Sequence, residues 1–269
     1  MAISVFIALF SSLLYLYATH ILWQRFKSDE SEAANFNRHK LLLIAALAAV
    51  VHLISFSGHL FSDGMLMFRF GTGLSLISWI AVVILLITNI NKATENLGIF
   101  IFPLAALTTL LPFTGTTLQP LPLALGSHIL ISITAYSIMG LAAAQATLYA
   151  IQERRFQKRQ LSIVFKNLPP LQIMEKTLIQ LVIIGFIFLS FALLSGVFFM
   201  EDIFAQHLVH KTFFAILAWL TYGLLIFGHF QFGWRGQKAA YYTIWAYFLL
   251  ILSYIGTEIV LNFMMHAKG

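Results

Sequence analysis

Nine histidines are spread along a chain of 269 residues that has no cysteine. Imidazole ligates transition metals and haem iron at neutral pH, and two histidines on facing helices can hold one iron axially. Without cysteine the chain can form no disulfide, iron–sulfur cluster, thiolate zinc site or covalent c-type haem attachment. Depth sorts the histidines. At about 1.5 Å of rise per helical residue, the run from Lys40 sets His52 about 18 Å deep, near the bilayer middle. The run back from Arg235 sets His229 about 9 Å from the inner boundary. His128 begins a long apolar run and His59 ends another, both at the outer surface. His207 and His210 fall in an outer loop, and His266 follows the last apolar run. His20 and His39 sit at the inner boundary as solvated residues.

A polar side chain in lipid is costly and often functional, but a histidine also serves as interhelical glue through one hydrogen bond. That plain reading applies to each histidine beside the ligand reading. An interfacial histidine costs little, so His59, His207, His210 and His266 are explained by water alone. The aromatics Trp79, Tyr136, Trp219, Tyr222, Trp234, Trp245 and Tyr254 could form a flat apolar slot for a porphyrin. Trp and Tyr also form interface belts, which accounts for Trp23 and Trp234. Glu258 lies at the outer end of the last run, where its charge is hydrated.

The elements that carry these residues follow from composition. The chain is 60% hydrophobic and 10% charged, against about 25% charged for a soluble domain. Lipid must solvate most of such a surface. The fold class expected is all-α, a polytopic integral membrane protein with about eight spans, each roughly 20 residues long. The spans read as Ala2–Leu22, Leu41–Phe61, Gly71–Ile90, Leu97–Phe113, Leu125–Ile151, Thr177–Met200, Lys211–Trp234 and Ala239–Met264. The first lacks a basic leader and a cleavage site, so it reads as a span and not as a signal peptide. The fourth is short and holds Pro103 and Pro112, so a kink or an early end is expected.

All the 16 Lys and Arg except Arg69, Lys211 and Lys268 fall in alternate loops. The positive-inside rule makes those loops cytoplasmic and puts both termini outside. The longest cytoplasmic loop, near Glu153–Lys176, contains Pro169-Pro170 and room for a short surface helix. With no linker or repeat, residues 1–269 read as one transmembrane domain. The formal charge of +6 belongs to these loops. No basic stripe with interleaved aromatics occurs outside the membrane, which argues against nucleic acid as a partner. No phosphate-binding glycine loop, HExxH or nucleophile elbow is present. Gly71-Thr72-Gly73 reads as a helix start, and Gly233-Trp234-Arg235-Gly236 as a tight cytoplasmic turn.

Four segments together resemble the CcsA-type cytochrome c assembly family, in its short bacterial inner-membrane YpjD-like branch. They are Val51-His52-Leu53; Ser127-His128-Ile129-Leu130-Ile131-Ser132 running through Tyr136 to Gln152-Glu153-Arg154-Arg155; Lys211-Thr212 with Ala218-Trp219-Leu220 and Tyr222; and Gly228-His229 with Gly233-Trp234-Arg235-Gly236 and Tyr254-Ile255-Gly256. The resemblance covers nearly the whole chain, and the His229 to Gly236 segment is its most specific part. It implies a protein of the bacterial inner membrane that handles non-covalent haem b for cytochrome c assembly. Its implied partners are membrane lipid, haem, other assembly proteins and apocytochrome c. His128 resembles the family's outer haem-ligand histidine, His229 its membrane histidine, and His266 its second outer histidine in position. His52, which matches the short branch, would partner His229. The family's haem-handling members carry a tryptophan-rich outer segment. The corresponding stretch here, Phe199 to His210, has no tryptophan, so either His207 and His210 substitute as ligands or this branch does something else.

Three readings follow. In the first, the chain is a haem-binding assembly factor or carrier without turnover chemistry of its own. His52, His128 and His229 are then axial iron ligands, His266 or His210 completes an outer site with His128, and Trp219 and Tyr136 line the slot. The second is a transporter of a divalent cation or small solute, which the shortage of intramembrane carboxylates opposes. The third is a structural subunit whose histidines only join helices.

Overall fold

The computed structural model describes residues 2–27, 36–62, 65–68, 70–91, 94–114, 119–121, 123–158, 168–199 and 206–266. Eight helical segments within these are long and apolar enough to cross a membrane, the fourth, Glu95–Phe113, only together with the 3-10 turns that flank its α-helix. We number them α1 (Ala2–Lys27), α2 (Arg38–Leu60), α3 (Phe70–Asn91), α4 (Gly98–Thr108), α5 (Leu123–Gln157), α6 (Leu171–Phe199), α7 (Gln206–Phe232) and α8 (Gly236–His266). Three short antiparallel strands, β1 (Phe61–Ser62), β2 (Met65–Phe68) and β3 (Gln119–Leu121), pair in that order beside the helices. The surface of the helices bears exposed large apolar side chains such as Ile3, Phe6, Ile90, Leu107, Phe191 and Phe198, as a lipid-facing bundle must.

The expected spans match these helices, with two extensions. The α5 helix has 35 residues and is about 52 Å long, more than a hydrocarbon core of about 30 Å. Its last turns, from Gln152 to Gln157, leave the apolar run. The α6 helix starts at Leu171 directly after Pro169-Pro170, because the second proline cannot follow a helical residue without strain. Of the loop near Glu153–Lys176, where a short surface helix was expected, residues 159–167 lie outside those described, and most of the rest extends α5 and α6. The fourth span ends early, as its prolines predict. Pro103 stands inside α4, and α4 stops at Thr108, where Thr108 and Thr109 return their hydroxyls to carbonyls of the preceding turn. A 3-10 turn, Leu111–Phe113, takes up Pro112.

The backbone gathers into two compact units, Met1–Leu123 with Ile151–Ile173, and Ala124–Ala150 with Met174–Gly269. In the first unit, polar pins join α1 to α4. Ser11 donates to the Ala48 carbonyl at 2.8 Å, and Ser12 to the Ala106 carbonyl at 2.9 Å. The Trp79 indole donates to the Ala49 carbonyl at 2.8 Å, and the Ser78 and Thr108 hydroxyls meet at 2.5 Å. Small residues on α2, Ala45, Ala48 and Ala49, are buried and let α1 approach, which is how membrane helices gain packing without a hydrophobic drive between them.

One end of this unit, expected to be the cytoplasmic one, is closed by charge. Glu95, in a 3-10 turn before α4, has a side chain only 3% exposed and accepts from Arg25 at 2.9 Å and faces Arg38 at 3.3 Å. Arg25 also reaches the Asn96 side chain and lies 4.2 Å over the Phe36 ring, while Arg38 donates to the Asn89 carbonyl. One carboxylate therefore ties the ends of α1, α2 and α3 to the start of α4. Burying a carboxylate is tolerable only with such pairing.

In the second unit, α5 to α8 form a closed cycle of contacts. Gln145 on α5 donates to the Met174 carbonyl on α6 at 2.9 Å. Trp219 on α7 donates to Ser190 on α6 at 2.9 Å and stacks on Phe186. Tyr222 on α7 donates to the Thr243 carbonyl on α8, and Gln237 on α8 donates to the Ala150 carbonyl on α5. Gly140 makes room for α8: a Cβ there would fall 2.8 Å from the Tyr247 hydroxyl.

Candidate functional site

The three histidines singled out in the spans have different hydrogen-bond settings. His52 is fully buried in the first unit, between α1 and α3. Its Nε2 lies 2.8 Å from the Ser75 hydroxyl and its Nδ1 lies 3.4 Å from the Tyr15 hydroxyl. Tyr15 and Phe56 meet the ring edge-on. A neutral imidazole has one donor and one acceptor nitrogen, and hydroxyls can serve both. An iron at His52 would have to displace Ser75 or Tyr15.

His128 and His229 belong to the second unit and stand at its opposite ends, His128 in the second turn of α5 and His229 in the last turn of α7. His128 is 8% exposed and its Nδ1 lies 2.9 Å from the Ser195 hydroxyl of α6. Ser195 also donates to the Ala192 carbonyl at 2.9 Å. Beside it Gly196 lies flat against the ring, where a Cβ would come within 3.2 Å of His128 Cε1.

His229 is held by its own turn. Its Nδ1 lies 2.8 Å from the Trp234 carbonyl, and the Trp234 N–H reaches back to the Gly228 carbonyl at 3.0 Å. Gly233 and Gly236 both have φ of 64°, a left-handed conformation that suits glycine. The Trp234 indole then folds over Gly228, whose place could not hold a Cβ without moving the ring. Lys238 caps the other side, 3.5 Å over that indole, and Tyr242 packs beside it at 5.1 Å. The turn expected from Gly233-Trp234-Arg235-Gly236 is thus present, and its two glycines and Trp234 each have a physical reason.

The aromatic slot residues are committed to helix contacts. Trp219 pins α7 to α6 through Ser190, and Tyr136 is buried beside Tyr254 with ring centroids 6.1 Å apart. His52 lies in one unit and His229 in the other, so neither unit by itself brings that pair together. The side chains of His59, His207, His210 and His266 lie outside the described residues. Among the described residues no group of three His, Cys, Asp or Glu could hold a bare metal ion. A porphyrin iron needs only one or two protein ligands, and a lone anchored imidazole meets that need.

Sequence reasoning passed over Glu95, Ser195 and Gly196. Glu95 carried a faint signal, as the one acid in the short loop after the third span, beside Lys92. Ser195 and Gly196 gave none, since hydroxyl and glycine are common in apolar helices and only the fold sets them against His128.

Eight membrane-capable helices, with histidines anchored at both ends of one unit, define a polytopic membrane protein. The chain belongs to the family described as Cytochrome C assembly protein, which it matches over residues 40–265. It is similar to the inner membrane protein YpjD of Escherichia coli strain K12, at 27% identity over 233 residues, 83% of this chain and 87% of that one. It is also similar to a 28.8 kDa protein of Azospirillum brasilense named for a nifR3-like 5' region, at 25% identity over 213 residues, 73% of this chain and 78% of that one. No solved structure matches it. The chain is a multi-pass protein of the bacterial inner membrane.

Proposed function

We propose that this chain binds haem b without covalent attachment and handles it for cytochrome c assembly, as a carrier or assembly factor acting on the outer face. The whole chain is read as one domain of that family. The observation that carries the reading is the second unit. Among the described residues, a buried histidine stands at one of its ends and a half-buried one at the other, with Nδ1 of each held by a neighbouring oxygen. Haem supplies a redox-active iron with four porphyrin nitrogens and axial positions for imidazole. His229 would take it at the inner end and His128 at the outer end. The aromatic turn of Phe230, Phe232 and Trp234 offers an apolar wall beside His229, and Arg235 and Lys238 offer charge for propionates at the basic boundary. Membrane lipid, apocytochrome c and other assembly proteins are the partners this role requires.

The test is an absorption spectrum of the chain purified in mild detergent from cells making ample haem, oxidised and reduced. The expected result is a Soret band with sharp reduced bands, diminished in His128→Ala and in His229→Ala. A blank spectrum, or one unchanged in both variants, would sink the reading.

A further inference from the structure

The turn that joins α7 to α8 carries more than His229, and Trp234 is its centre. The Trp234 carbonyl lies 2.8 Å from His229 Nδ1, its indole lies against Gly228, and the Lys238 ammonium stands 3.5 Å over that indole. The Tyr242 and Phe232 rings pack beside the indole at 5.1 and 6.3 Å, and Phe230 meets the His229 ring edge-on at 5.3 Å. Phe230 and Phe232 are each 68% exposed, so their faces are open to an apolar partner. Arg235 and Lys238 are exposed too, and neither pairs with a carboxylate among the described residues. An indole face holds a cation in place without bringing an opposite charge to it. Lys238 is thereby fixed, where a lysine on a bare helix would sample many rotamers. A lysine that only sets topology needs no such seat. Within one turn stand an imidazole, open aromatic faces and two cations with no counter-charge. A flat apolar plate with two carboxylates on one edge fits all three.

We infer that Arg235 and Lys238, the latter seated on Trp234, are carboxylate anchors that make this turn selective for dianionic porphyrins. The inference rests on the haem reading for its ligand and goes beyond it in the substrate class. The aromatic faces take the macrocycle, the two cations take its carboxylates, and a metal adds only its bond to His229. A porphyrin without iron is then accepted, and one with esterified carboxylates is disfavoured although its iron is intact. Trp234 is a positioning residue that acts through Lys238.

The experiment titrates the full chain in neutral detergent with hemin, hemin dimethyl ester and metal-free protoporphyrin IX. Soret absorbance follows the first two and porphyrin fluorescence the third. The readout is the ratio of acid to ester affinity, which a folding defect does not move because it weakens both. Hemin should bind about tenfold tighter than its ester. Lys238→Gln and Arg235→Gln should each lower that ratio, and Lys238→Arg should keep it. Trp234→Leu should lower it, and Trp234→Phe, which keeps an aromatic face, should restore it. Preference lost in these variants belongs to this turn, since His128 stands at the other end of the unit. Protoporphyrin should bind, and less tightly in Lys238→Gln. Equal affinity for hemin and its ester, or a ratio unmoved by both glutamine variants, overturns the inference and leaves the haem reading standing. Failure of both hemin and protoporphyrin to bind takes both down. Protoporphyrin bound through Lys238, with a hemin spectrum indifferent to His229→Ala, keeps the carboxylate anchors and removes the iron ligand.

Discussion

His52 in the first unit and His229 in the second are both histidines in apolar helices, yet the structure uses them in opposite ways. His52 has a hydroxyl at each ring nitrogen and an aromatic edge on two sides. It is a joint between α1, α2 and α3. His229 is tied at one nitrogen only, by a carbonyl five residues along its own chain, and its ring is half-buried. The same contrast separates the units. The first unit spends its polar groups on mutual bonds, from the Ser11 and Ser12 pins to the Glu95 charge cluster. The second holds His128 and His229 at its ends, each turned by an anchor. A histidine in lipid is informative about binding only when its second nitrogen is accounted for.

The comparison can be broken from the structural side first. Replacing Glu95 with Ala leaves Arg25 and Arg38 without their buried counter-charge, which should cost about 3 kcal/mol. Arg38 is 35% exposed, and solvent moderates its share. Thermal unfolding in detergent reads the loss, and a melting temperature within error of wild type would refute the inner-end closure. Next comes His52→Ala, expected to cost about 2 kcal/mol through a cavity and two orphaned hydroxyls, while the reduced haem spectrum stays as in wild type. A spectrum lost with His52 would transfer the ligand role to the first unit.

Smaller effects sharpen the second unit. Gly228→Ala should cost about 1–2 kcal/mol by forcing the Trp234 indole off its seat, and it should disturb His229 but not His128. The mildest is Trp219→Phe, which removes the N–H donated to Ser190 and should cost about 1 kcal/mol. Haem absorbance should persist there; its loss would show that Trp219 lines the slot as well as joining α6 to α7.

Much of the fold was legible from residue order alone. Hydrophobic run length and the sparing of charge set out the eight spans, and Pro103 and Pro112 announced the early end of α4. Gly233-Trp234-Arg235-Gly236 announced a turn because two glycines flank the pair of residues between two apolar runs that must reverse direction. The site was legible in part. His52 and His229 stood out by type and depth, and His128 through the resemblance, but depth cannot tell how each ring is held. That difference depends on Ser75, Tyr15 and Ser195, which are distant in sequence and ordinary in kind.

The sequence by itself determined which segments leave water, because transfer free energy is a property of composition summed along a helix. It also determined the turn that holds His229, because every partner in it lies within a few residues. Only the tertiary structure decided that His52 is saturated, that Ser195 and Gly196 meet His128, and that Glu95 gathers two arginines from different helix ends. Those outcomes depend on which helix faces meet. Hydrogen bonds and ion pairs are short-ranged, so their partners are fixed only when packing brings the helices together.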